Sequence, residues 1–364
     1  MDIHGRGHAY RWQRRSSNDV GLHSMWFCFV AQVAMRYWRR VMCWLFLCSY
    51  PGLTFSATGD ARVMLLLSEE GGAYREVAES FIVRAKQLAK KPPDIEVARV
   101  DAMHLDHWRG AGAPQLVVTV GTRAAQMFLE ADTSVPTLRV LITRNAHESL
   151  QANVKDPRPK ITIAAIFLEQ PWDRQFDFLR ILLPKAQRMG VILGPASQDE
   201  AAPLTNRATH QGLVPQLRIL AVQDNPSRSV GSSQDRDPGV MFKDIAEQSD
   251  VVLAVPDPAV LTPNSAKWLL YTAYQRGIPV IGFSKSYVSA GALGAVFSTP
   301  EQIGRQAAEI AARALQEPSV DWAVAAYPKY FSVAINRSVA RSLRFEIPDD
   351  AEVLRKLNAP EVPP

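Results

Sequence analysis

The sequence predicts an α/β protein of two doubly wound, parallel-sheet (Rossmann-like) lobes joined by three hinge crossings. Three observations carry this. Short apolar runs rich in Val, Ile and Leu, each stopped by Gly, Pro or polar residues, look like strands buried on both faces. They alternate with amphipathic stretches over residues 60–143 and again over 161–283. Finally, two buried runs, 278–283 and 292–297, stand almost in tandem. With only the short polar linker 284–291 between them, parallel pairing in one sheet is not expected, so the chain is expected to leave one sheet there.

The elements follow in order. Residues 63–68 form a strand, and 74–88 a helix with Val77, Phe81, Ala85 and Leu88 on one stripe. Strands are expected at 95–100 and 116–120, a helix opening at Gly121-Thr122, and a strand at 138–142. The polar, proline-bearing stretch 145–160 is the expected first crossing. The second half repeats the pattern: strands at 161–167, 188–193 and 217–222, helices at 172–183, 201–212 and 240–248, and a turn-rich loop at 224–239. Residues 251–255 are a strand stopped by Pro256-Asp257-Pro258. Gly277 ends the next helix before the strand at 278–283. Thr299 before Pro300 and Gln302 is an N-cap for a helix over 300–315. The third crossing is expected near 316–327, followed by a strand at 331–335, a short helix at 337–343 and a polar tail. The lobes are thus expected as 58–144 with 288–318, and 160–285 with 326–364.

Charge distribution argues against nucleic acid. Residues 1–57 carry Arg6, Arg11, Arg14, Arg15, Arg36, Arg39 and Arg40 against Asp2 and Asp19, which accounts for the formal net charge of +5. The remainder is near neutral with no basic stripe. The same leader holds Cys28, Cys43 and Cys48, all 3 cysteines of the chain. Its basic segment 35–40, apolar run 41–50 and small residues 54–59 have the order of a secretory signal; an uncleaved anchor is the alternative. Removal would leave a mature chain without cysteine, suited to an oxidising compartment such as the periplasm.

Several phrases, in order over most of the chain, carry a resemblance: Val117-Val-Thr-Val-Gly-Thr122, Leu182 to Leu193, Val255-Pro-Asp257, Gly277-Ile-Pro-Val-Ile-Gly282, Ala290-Gly-Ala-Leu293, Val333-Ala-Ile-Asn336 and Arg344-Phe-Glu-Ile-Pro348. Together they resemble the substrate-binding proteins of ABC transporters, type I periplasmic binding proteins of the branch related to aromatic amino acid binders. Two places differ. Where that family carries a Thr-Gly pair at a cleft-facing strand end, this chain has Phe167-Leu168-Glu169-Gln170; where it carries Leu-Gly, this chain has Leu343-Arg344. At the first place, bulky and charged groups replace a tight backbone approach.

Ligands of open α/β sheets bind beyond the carboxyl ends of strands, facing helix N-termini. That rule selects Ser68, Glu69, Tyr74, Gly121, Thr122, Arg123, Thr143, Arg144, Glu169, Gln170, Asp257, Ser284 and Tyr287. For an amino-acid-like ligand, Thr122 and Arg144 would receive the carboxylate, and Tyr74 would stack on an apolar side chain. Asp257 would receive the ammonium, as the resemblance also implies. The plainer alternatives are that Thr122 and Asp257 cap helices, that Arg144 and Glu169 pair across the cleft, and that Tyr74 and Tyr287 are rim residues.

Enzyme motifs are missing. Gly282-Phe-Ser-Lys-Ser286 lacks the closing glycine of a nucleophile elbow, and no phosphate-binding loop or His-Glu-x-x-His is present. His104-Leu-Asp-His107 is read as a solvated loop, so no metal or other cofactor is expected. The expected function is capture of a small polar ligand and its presentation to an ABC permease or a periplasmic sensor domain. The protein would act as a monomer and meet the membrane only through that partner. The alternative is an interaction protein of the same fold without a ligand.

Overall fold

The computed structural model describes residues 61–102, 113–131, 134–152, 162–220, 237–317 and 324–358. The leader, the His104–His107 motif and most of the 224–239 loop lie outside the described residues. In chain order the elements are β1 (Arg62–Leu67), α1 (Gly72–Leu88), β2 (Asp94–Arg99), β3 (Leu116–Val120), α2 (Thr122–Glu130), β4 (Thr137–Ile142), α3 (Arg144–Ala152) and β5 (Ile163–Phe167). There follow α4 (Trp172–Leu182), β6 (Arg188–Leu193), α5 (Ala201–His210), β7 (Val214–Ile219), α6 (Pro238–Gln248), β8 (Val251–Leu253), α7 (Pro263–Gln275), β9 (Val280–Gly282), α8 (Lys285–Ser289) and β10 (Gly294–Phe297). The chain ends with α9 (Pro300–Gln316), β11 (Ala325–Ala326), β12 (Ser332–Ile335), α10 (Arg337–Ser342) and α11 (Asp350–Asn358).

Two 6-stranded sheets result, ordered β11-β5-β4-β3-β1-β2 and β12-β10-β9-β8-β6-β7. All pairings are parallel except β10 with β12. Alternation along the strands loads both faces of each sheet. In the first lobe, Val63, Leu65, Val118 and Val140 pack with Val77 and Phe81 of α1 and Ile303 and Ala307 of α9. Met64, Leu66 and Val117 pack with Phe128 of α2 on the other face. The second sheet is covered by Phe176, Phe178 and Leu179 of α4 on one face, and by Phe242, Ile245 and Leu269 of α6 and α7 on the other. The α9 helix presents small residues to α1, and a Cβ on Gly304 would lie 2.3 Å from the Val77 carbonyl oxygen. Its predicted N-terminus is a full capping box between Thr299 and Gln302.

The crossings differ from expectation. β5 pairs with β4, so the chain is still in the first sheet at Ile163–Phe167 and has not crossed by then. The first crossing comes after β5, at 168–171. β9 and β10 are parallel neighbours, so 284–291 is not a crossing. The five-residue helix α8, inside a connection of about a dozen residues, is enough to return the chain for parallel pairing. The second crossing lies at 298–299, between β10 and α9. β11 pairs with β5 in the first sheet, which moves the third crossing to 327–331. The C-terminal tail also holds a helix, α11, whose Val353 is buried in the second core.

Arg344 adopts φ 60, the left-handed conformation that ends α10, at the position where the resembled family has glycine. A side chain there costs about 1–2 kcal/mol, partly offset by the chain entropy that glycine loses. Arg344→Gly is expected to raise stability by about 0.5 kcal/mol in denaturant unfolding. A loss of stability would contradict this account.

Candidate functional site

The carboxyl ends of β4 and β5 face those of β6, β8, β9 and β10 across a cavity of about 340 Å³. It is lined by Thr143, Arg144 and Asn145 from the first lobe and by Leu168 and Glu169 from the start of the first crossing. Trp172, Ser197, Glu200, Pro256, Phe283, Ser284 and Phe297 come from the second lobe, and Gln170 and Tyr327 from the crossings.

Local backbone explains the first-lobe wall. Leu141 has φ 50, at a register shift between β4 and β5, and this irregularity precedes the turn into α3. The Thr143 hydroxyl accepts from the Ala146 N–H at 3.2 Å, near the start of α3. The Arg144 N–H donates to both carboxylate oxygens of Glu169, at 3.1 and 3.2 Å. Glu169 therefore occupies the positive end of α3. Its carboxyl is pushed up to about 7 by burial, against hydrogen bonds from its own backbone and from Arg144; the charge of Glu200 adds to the rise.

The Arg144 guanidinium does not pair with Glu169. It reaches across the cleft to Glu200 in a close ion pair and also meets Glu148 at 3.1 Å. Burial opposes its charge, but the hydrogen bond and charge of Glu200 outweigh this and hold its pKa above the ordinary value. The second Glu200 oxygen accepts from the Trp172 indole N–H at 2.8 Å. Beside this pair, the Asn145 amide donates to the Ala196 carbonyl at 3.2 Å and to Asp199 at 3.1 Å. The lobes are thus tied by side chains at one margin of the cleft.

Gln170 ties the three crossings together. Its amide donates to the Ser298 hydroxyl at 2.8 Å, and Ser298 in turn donates to the Tyr330 carbonyl at 2.6 Å. Its oxygen accepts from Arg174 at 2.7 Å, and Arg174 also donates to the Pro328 carbonyl at 2.9 Å. Every crossing contributes at least one of these groups, so bending at one is transmitted to the others.

The other predicted positions lie elsewhere. Ser68, Glu69, Tyr74, Gly121 and Thr122 stand at the ends of β1 and β3, on the edge shared with β4 but outside the cavity lining. Gly121 has φ 94, and a Cβ there would lie 2.5 Å from the Ser68 oxygen and 2.8 Å from the Tyr74 ring. Ser68 accepts from the Ala124 N–H at 2.9 Å, so its hydroxyl serves α2. Thr122 is exposed as the first residue of α2, whose N-cap is Gly121. Tyr74 is half-buried; burial, then the Glu69 charge, raises its pKa.

Asp257 is 2% exposed and turned into the protein. It accepts from the Ser197 hydroxyl at 2.8 Å and the Ala259 N–H at 2.9 Å. Ser284 lines the cavity, and its hydroxyl caps α8 by accepting from Tyr287 N–H at 3.2 Å. Tyr287 is not a rim residue: it is buried, its pKa raised by desolvation, and its ring backs Phe283 at 5.0 Å. Sequence reasoning missed Trp172, Glu200, Phe283, Phe297 and Tyr327. The strand-end rule applied to β6 would have reached Glu200; no comparable local signal marks Tyr327, which follows a two-residue strand.

Among the described residues, no three His, Cys, Asp or Glu side chains converge as a metal site. No described helix is long and apolar enough to cross a membrane.

Two doubly wound lobes, three crossings and a cavity between the strand ends define a type I periplasmic binding protein. Residues 109–356 match the family described as ABC transporter substrate binding protein, and the chain belongs to that family. Its members bind small molecules and deliver them to ABC permeases; they are binding proteins rather than enzymes and are generally extracytoplasmic or periplasmic. A tyrosine-binding protein of Clostridioides difficile (strain R20291) is 22% identical over 206 residues, a match spanning 56% of this chain and 56% of that relative. The fold is similar to the ligand-free, open structure of a substrate binding protein with adhesive properties from Clostridium difficile. That likeness has a TM-score of 0.61 and 18% identity, covering 80% of this chain and 97% of the other. A domain from Streptococcus pneumonia in complex with L-Trp gives a TM-score of 0.53 and 16% identity, covering 82% and 98%.

Proposed function

We propose that this protein captures a small, polar, amino-acid-like ligand in the interlobe cavity and presents it to an ABC permease or a periplasmic sensor domain, working in the periplasm as a monomer after export by its N-terminal signal. The observation that carries the reading is the cavity itself. It opens between the strand ends of both lobes, beside crossings whose hydrogen bonds couple their bending. Ligand contacts would come from Arg144, Glu169, Gln170 and Ser284. Closure would bring the edge formed by Ser68, Glu69, Tyr74, Gly121 and Thr122 toward the second lobe. Binding energy would shift an open–closed equilibrium that the partner reads.

Thermal melting of the protein, unfolded and refolded to strip carried-over ligand, tests this against amino acids, amines, small polar metabolites and cell extract. A ligand at 100 times its Kd stabilises by about 2.7 kcal/mol, a shift of several degrees. Leu168, which lines the cavity and is 44% exposed, is the place to block it. Leu168→Arg is expected to abolish the shift without lowering the melting temperature of the free protein.

A second reading is favoured by the Arg144–Glu200 pair, which joins the lobes without any ligand. An interaction protein with a self-satisfied cleft would give a flat response to the whole panel, extract included.

A further inference from the structure

The cleft holds a charge arrangement that narrows the ligand class, on the premise that this cavity is the binding site. An α-amino acid needs two receptors, donors for its carboxylate and an acceptor for its ammonium. The cationic donor at this wall, Arg144, is already used. The start of α3 is occupied by Glu169, whose two oxygens lie 3.1 and 3.2 Å from the Arg144 nitrogen. The Arg144 guanidinium is committed to Glu200 and Glu148. Arg174, outside the cavity lining, donates to Gln170 and to the Pro328 carbonyl.

The acceptor side is open. A carboxylate offers about four lone-pair positions, and Glu169 shares its own among the Arg144 N–H and its own backbone N–H. No ion pair joins it to a cationic side chain among the described residues. The groups that face it are Arg144 from α3, Glu200 from the turn after β6, and Tyr327 from the third crossing. Two carboxylates, Glu169 and Glu200, against one guanidinium leave the site acidic. Leu168, Pro256, Phe283 and Phe297 give the cavity an apolar face. A cation with an apolar body complements this cavity; a free carboxylate would meet repulsion there.

We propose that the cleft selects a small amine by its ammonium group, held on Glu169 with the ligand body against the aromatic wall, and that it offers no uncommitted cationic side chain to a ligand carboxylate. Glu169 is then the specificity-determining residue. Burial raises its pKa, and bound ammonium would restore the ionised form.

Calorimetry with matched sets tests this at pH 8: tyramine, tyrosine and 3-(4-hydroxyphenyl)propionate; tryptamine, tryptophan and indole-3-propionate; and 1,4-diaminobutane with ornithine. Each amine is expected to bind at least about tenfold more tightly than its amino acid, with no binding by the desamino acids. Glu169→Gln keeps an oxygen on α3 but removes the charge, and should erase the preference. Wild-type affinity for the amine should also fall as pH drops below 7, a readout that does not depend on the variant folding. If the sets are silent but extract shifts the melting curve, the bound molecule is identified by mass spectrometry: a carboxylate-free cation supports the assignment, and a carboxylate-bearing one overturns it. An amino acid that binds more tightly than its amine, or a preference unchanged in Glu169→Gln, also overturns it while leaving the cleft reading intact. Silence of every set and of extract removes the cleft reading and the amine with it.

Discussion

Asp257→Ala is expected to lower stability by about 3 kcal/mol, roughly 5–10 °C in melting temperature, without changing which ligands the cleft prefers. The carboxylate is the joint between two loops of the cavity floor. One oxygen accepts from Ser197 at 2.8 Å, the other from Ala259 N–H at 2.9 Å. Ser197 in turn accepts from the Gly194 N–H at 3.0 Å. The side chain also fills the space beside Gly194, where a Cβ would lie only 2.4 Å from it. Alanine leaves the buried Ser197 hydroxyl with only a long contact to the Gly194 carbonyl and the part-buried Ala259 N–H without its acceptor, plus a void beside Gly194. A ligand-contacting acid would behave in the opposite way, with melting unchanged and affinity lost. Melting and calorimetry on the same sample separate the two.

Glu169→Gln is expected to stabilise the ligand-free protein at pH 8 by on the order of 2 kcal/mol and to leave it nearly unchanged at pH 4.5. The sign follows from the direction of the shift. Folding raises this carboxyl from 4.5 to about 7, so its contribution is fully present below 4.5 and is lost as pH rises through 7. Glutamine does not ionise and escapes the loss, while its amide oxygen still accepts from Arg144. The figure lies below the full linkage value because the side chain keeps some contact with solvent. Urea unfolding at several pH values measures it. Equal stabilities of the two proteins from pH 5 to 8 would show that burial does not disfavour the charge at Glu169. With saturating amine the wild-type penalty is expected to vanish, since an ammonium on the carboxylate replaces the water it lost.

These two residues also show where the sequence is informative. Both stand beyond strand ends, and the strand-end rule finds them without any comparison. It also finds Arg144, Gln170 and Ser284, all of which line the cavity. It cannot say which way a side chain turns. Asp257 faces inward because Gly194 leaves room for it and Ser197 supplies a donor, and Gly194 and Ser197 lie some sixty positions earlier in the chain. The plainer sequence reading of Glu169 and Arg144 is a pair formed by their side chains. The structure pairs Glu169 with the Arg144 backbone and turns the guanidinium to Glu200, because a helix N-terminus draws the nearest carboxylate.

By itself the sequence determined the alternation of strands and helices, the capping box at Thr299, the glycine at the start of α2, and hence the doubly wound class. Those features depend on residues within one or two turns of each other, where periodicity and capping chemistry act directly. Only the tertiary structure decided which sheet β5, β10 and β11 join, and so where the three crossings lie. A buried strand's apolar run is the same whichever sheet receives it. Membership is settled by partners far away in the chain, and at 284–291 by the fact that five residues of helix suffice to turn the chain back. The cavity followed from those placements, since Tyr327, Phe297 and Glu200 come within reach of Glu169 only once the crossings stand where the strands put them.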